Sequence, residues 1–254
     1  MFSPVQTRRT FEEAAEQIAD KIRTGELRQG DRLPGERALA AQMEISRPTL
    51  REAVKVLVEA AVLEVRRGPG GGMFVATDVV PVELVRQRSS LRLGEVAGVL
   101  EARRMIEPRV AQLAAVRATD DDFAALERSI DSMRAIVAAG YRPEDEDRFL
   151  QIDVQFHLAL ARAAGNLTIE TLMRTLIRQL EIARDMAMHL PLVPEWTIDI
   201  HERTVAAVRS GDLDEVEAVM DEHVGQLERT WEEETSRALV RTLPDFLLPG
   251  TARK

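Results

Sequence analysis

The sequence predicts a mainly α-helical protein: an N-terminal winged helix-turn-helix with a small β wing, followed by an all-α antiparallel helical bundle. Three observations carry this expectation. The character of the chain changes near residues 76–82, from mixed helix and strand signals to helical periodicity throughout. Before that change, residues 10–75 read in order as a helix, a short helix, a capped basic helix and a glycine-rich hairpin. After it, helical segments are separated by glycine and proline punctuation with no strand signal between them. The expected divisions are 1–78, 79–238, and a tail at 239–254 whose Phe246, Leu247 and Leu248 lie between prolines.

In the first module, Thr10-Phe11-Glu12-Glu13 fits a capping box opening a helix that ends near Gly25. Glu36 to Met43 follows as a short helix after Leu33-Pro34-Gly35. Ser46 then caps a third helix with Pro48 in its first turn, where a missing N–H costs little. This third helix has two faces. Leu50, Ala53, Val54 and Leu57 recur at i, i+3, i+4, i+7 and point inward. Arg47, Arg51 and Lys55 recur every four residues as a basic stripe, which suits a phosphate-lined groove or, equally, a solvated helix face. Residues 62–67 read as a strand, 68–72 as a glycine-rich turn and 73–75 as the return strand. Arg66 and Arg67 sit at that hairpin.

In the second part, helices are expected at about 93–118, 119–140, 143–164, 167–190, 195–209 and 212–238. Thr119 is a good N-cap, and Gly165-Asn166 and Ser210-Gly211-Asp212 are the clearest breaks. Short connections favour antiparallel neighbours.

Composition bounds the function. The chain has 254 residues, 45% hydrophobic and 30% charged, a normal globular mixture with enough length for a sizeable core. No apolar run reaches the roughly 18 residues of a membrane span, and no cleavable signal is legible. The absence of cysteine excludes disulfides and thiolate metal sites and fits a cytoplasmic setting. The net charge of −9 falls entirely after residue 78, and the first module is neutral overall, so a local basic patch on it is compatible with an acidic protein.

The chain holds four histidines, His157, His189, His201 and His223. Asp153 and His157 stand at i and i+4, about 40° apart on one helical face, a favourable spacing for two ligands of one ion. His201 and His223 fall on the last two helices, and a bundle can aim one side chain from each helix at a shared interior point. Three imidazoles and a carboxylate suit zinc, nickel, manganese or iron rather than calcium. From spacing alone, histidines packed in a core read the same way. His189, near a helix C-terminus, complements the helix dipole and is left out of the site.

Residues 10–76 resemble the DNA-binding domain of the GntR family of bacterial transcription regulators. The carrying segments are Leu33-Pro34-Gly35-Glu36-Arg37, Ser46-Arg47-Pro48-Thr49-Leu50-Arg51 and the stretch from Leu63 through the glycine run to Val75. In the FadR-like branch such residues meet operator DNA. The resemblance therefore implies Arg37, Ser46, Arg47, Thr49 and Arg51 at the DNA, with Arg67 and Gly68 at the wing tip. Residues 93–235 resemble the FCD ligand-binding domain through Glu101 to Pro108, Asp153 to His157, Ala164-Gly165-Asn166, His201-Glu202-Arg203, and Gly211-Asp212-Leu213 followed by His223. In its metal-binding members an Asp and three His hold one divalent ion, which implies Asp153, His157, His201 and His223, with zinc placed first. The resemblance also implies an arginine on the first long helix that pairs with an effector carboxylate. Arg103 fits that motif and the inward register, with Arg104 as the alternative.

The expectation is a homodimeric, metabolite-responsive regulator, more commonly a repressor, that binds a near-palindromic operator and a small organic acid and is not an enzyme. Two other readings stand beside it: a metal-dependent hydrolase-like enzyme, and an architectural DNA-binding protein with a structural metal.

Overall fold

The computed structural model describes residues 10–81, 84, 95–187 and 193–239. Along the chain it forms α1 (Thr10–Arg23), α2 (Glu36–Gln42), α3 (Arg47–Glu59), β1 (Leu63–Arg66), β2 (Gly72–Val75), α4 (Val96–Arg117), α5 (Asp120–Ala138), α6 (Glu146–Ala163), α7 (Leu167–Ala187), α8 (Pro194–Ser210) and α9 (Leu213–Thr235). A 3-10 turn at Pro143–Asp145 precedes α6. The expected elements are present, most with ends within a few residues of the sequence reading. His189, most of the linker after Pro81 and the apolar tail residues Phe246 to Leu248 lie outside the described residues.

The chain divides into two units. The first comprises residues 1–89 and 138–155, the second 90–137 and 156–254, so α6 contributes its first half to one and its second half to the other.

In the first unit, α1 packs on α3 and α2 packs on α3. Ile18, Ile22, Leu50, Leu57, Leu63 and Val75 form a dry centre between the helices and the hairpin. Ser46 caps α3 as expected, its Oγ accepting from the Thr49 backbone N–H at 3.2 Å, with Pro48 in the first turn. The hairpin pairs Leu63 with Val75 and Arg66 with Gly72 in antiparallel register, and Arg32 adds an isolated bridge to Phe74. Residues 138–155 belong here through polar contacts. Gln151 Oε1 accepts from Val80 N–H at 2.9 Å, its Nε2 donates to Asp78 O, and Gln155 Nε2 donates to Arg23 O at 3.1 Å.

In the second unit, α4 is the central helix and packs against α7, α8 and α9. Helices α8 and α9 form a helical hairpin around Gly211 and Asp212. Gly211 takes the left-handed backbone (φ 75°) that glycine tolerates best. Asp212 accepts from the N–H groups of Asp214 and Glu215 and so caps α9. Leu100, Leu126, Met133, Phe156, Met173 and Trp231 are fully buried.

The hairpin turn is sterically demanding at one residue. A Cβ on Gly71 would meet Arg66 O at 2.4 Å and Gly68 O at 2.9 Å, both backbone atoms that cannot swing aside. Gly71→Ala is therefore expected to lower the melting temperature measured by circular dichroism. An unchanged melting curve would mean the turn adjusts freely.

Candidate functional site

On the first unit, Arg47 and Arg51 stand exposed on α3, as the four-residue stripe predicts. They are not independent charges. Arg47 Nε donates to Glu36 Oε1 at 2.7 Å and Arg51 Nε to Glu36 Oε2 at 3.0 Å, so one carboxylate on α2 holds both guanidinium groups. The bonds from Arg51 and then Arg47 lower the Glu36 pKa below the usual carboxylate value. Arg37 and Ser46 are exposed, and Thr49 is half-buried with Oγ1 2.7 Å from Ser46 Oγ. Arg67 and Gly68 are exposed at the turn between β1 and β2, with Gly68 in the left-handed region (φ 94°). Arg66 pairs with Glu64 and stacks 4.2 Å over the Phe74 ring, while Lys55 lies 3.9 Å from Glu59. A groove of about 470 Å³ beside α3 is lined by Leu50, Val54, Val58, Val65 and Met73, together with Arg51 and Lys55.

On the second unit, α6, α8 and α9 bring His157, His201 and His223 together. One potential ligand atom from each lies within 4.8 Å of the others, and the residues are 2%, 0% and 4% exposed. Their ring centroids are 5.0–5.6 Å apart, and Phe156 stacks on His201 at 3.9 Å. Burial first, then the neighbouring His201, His157 and Arg103, pushes the His223 pKa well below its ordinary value, so its imidazole is neutral at pH 7. Three imidazoles converging on one buried point are a donor set that fits a divalent transition ion. Asp153, four residues before His157 on α6 and also buried, is not part of this close group.

Helix α4 supplies the charges beside the histidines. Arg103 and Glu107 are 3% and 1% exposed and pair at i, i+4, Nε to Oε1, at 2.8 Å. The second oxygen of Glu107 lies 3.2 Å from His157 Nδ1. Burial would raise the Glu107 pKa, but Arg103 and then His157 outweigh it and hold it at about 2. Arg103 Nη1 is buried and makes no hydrogen bond among the described residues. On α8, Thr204 Oγ1 donates to Ile200 O at 2.7 Å and lies 3.3 Å from His223 Nδ1.

The two candidate effector arginines separate clearly. Arg104 makes a bidentate bridge to the buried Glu228 of α9, both bonds 2.6 Å, and also pairs with Asp221. It braces α4 against α9, while Arg103 faces the histidines. Sequence reasoning gave no role to Glu36, Glu107 or Thr204. The i, i+4 spacing of Arg103 and Glu107 was legible, but its extension to His157 depends on another helix. Arg104→Ala is expected to lower the unfolding free energy by about 3 kcal/mol, because it strips a cation from a buried carboxylate. A urea midpoint equal to that of the wild type would count against the brace.

Comparison with known proteins gives the family. Residues 10–75 match "Bacterial regulatory proteins, gntR family" and residues 98–226 match the FCD domain. The chain is 30% identical over 251 residues to the candidate L-lactate dehydrogenase operon regulatory protein of Escherichia coli K12, covering 93% of each. It is 26% identical over 234 residues to the transcriptional repressor NanR of Cronobacter sakazakii, covering 90% of this chain and 88% of that one. The solved structure of E. coli McbR/YncC superposes with a TM-score of 0.50 at 18% identity, covering 89% of this chain and 99% of that one, and shows the fold alone. These relatives are transcription regulators rather than enzymes, so the hydrolase reading falls away. No helix among the described residues is long and apolar enough to cross a membrane. The chain belongs to the GntR family of bacterial transcription regulators, with a gntR-type DNA-binding domain followed by an FCD domain.

Proposed function

We propose that this regulator is a homodimeric repressor whose FCD domain binds one divalent ion and a small organic acid, and that the acid alters its affinity for a near-palindromic operator. One observation carries the reading: three buried histidines from three helices converge beside a buried arginine whose Nη1 has no acceptor among the described residues. Apolar packing alone would not keep such a donor out of water, since an unsatisfied buried polar group is costly. A ligand carboxylate would satisfy it through a charge-assisted bond.

His157, His201 and His223 would hold the ion, with Asp153 as a fourth ligand. Zinc is the first choice, with nickel, manganese and iron also suited to the set. The bound ion would supply positive charge and open coordination positions to an anionic ligand. Arg103 would bind the outer carboxylate oxygen. This chemistry favours a hydroxy acid or a dicarboxylate over a neutral ligand or a long-chain acyl thioester. The name of the E. coli relative, which refers to an L-lactate dehydrogenase operon, points to the same class, because L-lactate is a hydroxy acid.

At the DNA, Arg47 and Arg51 would enter the major groove with Thr49. Arg37 and Ser46 would contact the backbone or flanking bases, and Arg67 and Gly68 would bring the wing to the duplex. A two-fold protein reads a two-fold site, hence the near-palindromic operator.

Two measurements test this. With an operator fragment selected from random duplexes by the wild type, Arg47→Ala or Arg51→Ala should weaken binding by about 1–3 kcal/mol at fixed salt. Unchanged anisotropy titrations for both would remove α3 as the reading helix. Chelation should lower the melting temperature and re-added zinc or nickel should restore it, because an ion that binds only the folded state stabilises it. Calorimetry of the metal-loaded protein should then detect a hydroxy acid or dicarboxylate, with affinity lost in Arg103→Ala. A protein that binds metal but no carboxylate, and releases no DNA with any acid, would favour a purely structural ion.

A further inference from the structure

We infer that Thr204, a side chain outside the ligand set, fixes the tautomer of His223, so that this histidine presents Nε2 as the metal-binding atom. The inference deepens the metal-binding reading above and rests on it.

The argument is a proton count. The Thr204 hydroxyl has one hydrogen and two close partners, Ile200 O at 2.7 Å and His223 Nδ1 at 3.3 Å. A carbonyl oxygen can only accept, so the Thr204 hydrogen goes to Ile200. The contact with His223 is then a hydrogen bond only if Nδ1 carries the proton and donates to Oγ1. A neutral imidazole has one N–H, which leaves the Nε2 lone pair bare.

The test uses the full-length protein, with zinc as the probe. Long-range 1H–15N correlation of the imidazoles in the wild type should show protonated Nδ1 and unprotonated Nε2 for His223, with and without zinc. Thr204→Val should weaken zinc binding by about 10-fold in competition with a chromogenic chelator, because it removes the acceptor of the Nδ1 proton. His223 found with its proton on Nε2 in the wild type overturns the inference, and that readout needs no variant to fold. Zinc bound equally by the wild type and Thr204→Val overturns it as well, while leaving the metal-binding reading intact. A wild type that takes up no zinc removes the reading and the inference together.

Discussion

A buried ion pair among imidazoles sets the terms for the helical unit. Charged groups leave water at a cost of several kcal/mol each, recovered only when geometry and partners are good. Arg103 and Glu107 meet that requirement locally, one turn apart on α4. The pair could have stood alone on the outside of a helix. Inside, α6, α8 and α9 bring three imidazoles beside it. Leu100, Met173 and Trp231 are fully buried in the same unit and add apolar packing that keeps water out of its interior. Exclusion of water in turn gives every contact inside it strength.

The DNA-binding unit uses charge in the opposite way. Glu36, Arg47 and Arg51 lie at the surface, where an ion pair contributes little to stability. Their value lies in arrangement. A single carboxylate joined to two guanidinium groups limits where those long side chains point before a duplex arrives. It also lowers the net positive charge of the face, which fits a module with no overall charge and an acidic protein around it. Phosphates and base edges can compete for the same guanidinium hydrogens because the pairs are solvated. A buried counterpart such as Arg104 with Glu228 could not be exchanged so readily.

The two arginines of α4 show how adjacent residues acquire different work. Arg103 and Arg104 are neighbours in sequence but about 100° apart around the helix. One side faces α9, whose Glu228 and Asp221 take Arg104 as a brace between helices. The other faces the histidines, where Arg103 Nη1 makes no hydrogen bond among the described residues. A step of one residue around the helix decides which of them braces α9 and which faces the histidines.

The sequence by itself determined the element order and nearly every helix. Those features rest on local chemistry: the Ser46 and Asp212 caps, the breaks at Gly140, Gly165 and Gly211, and the periodicity of Leu50, Ala53, Val54 and Leu57. The family followed from short motifs read in order. The sequence also nominated His157, His201 and His223, because one helix per ligand is a pattern that spacing can carry. Tertiary structure alone decided what surrounds them. Glu107 meets His157 from a helix about 50 residues earlier in the chain, and Thr204 meets His223 across the α8–α9 hairpin. Which of Arg103 and Arg104 braces the bundle depended on where α9 lies, and the joining of Arg47 and Arg51 depended on the placement of α2. These are contacts between side chains distant in sequence, and hydrophobic periodicity fixes which face is buried but not which polar groups meet there.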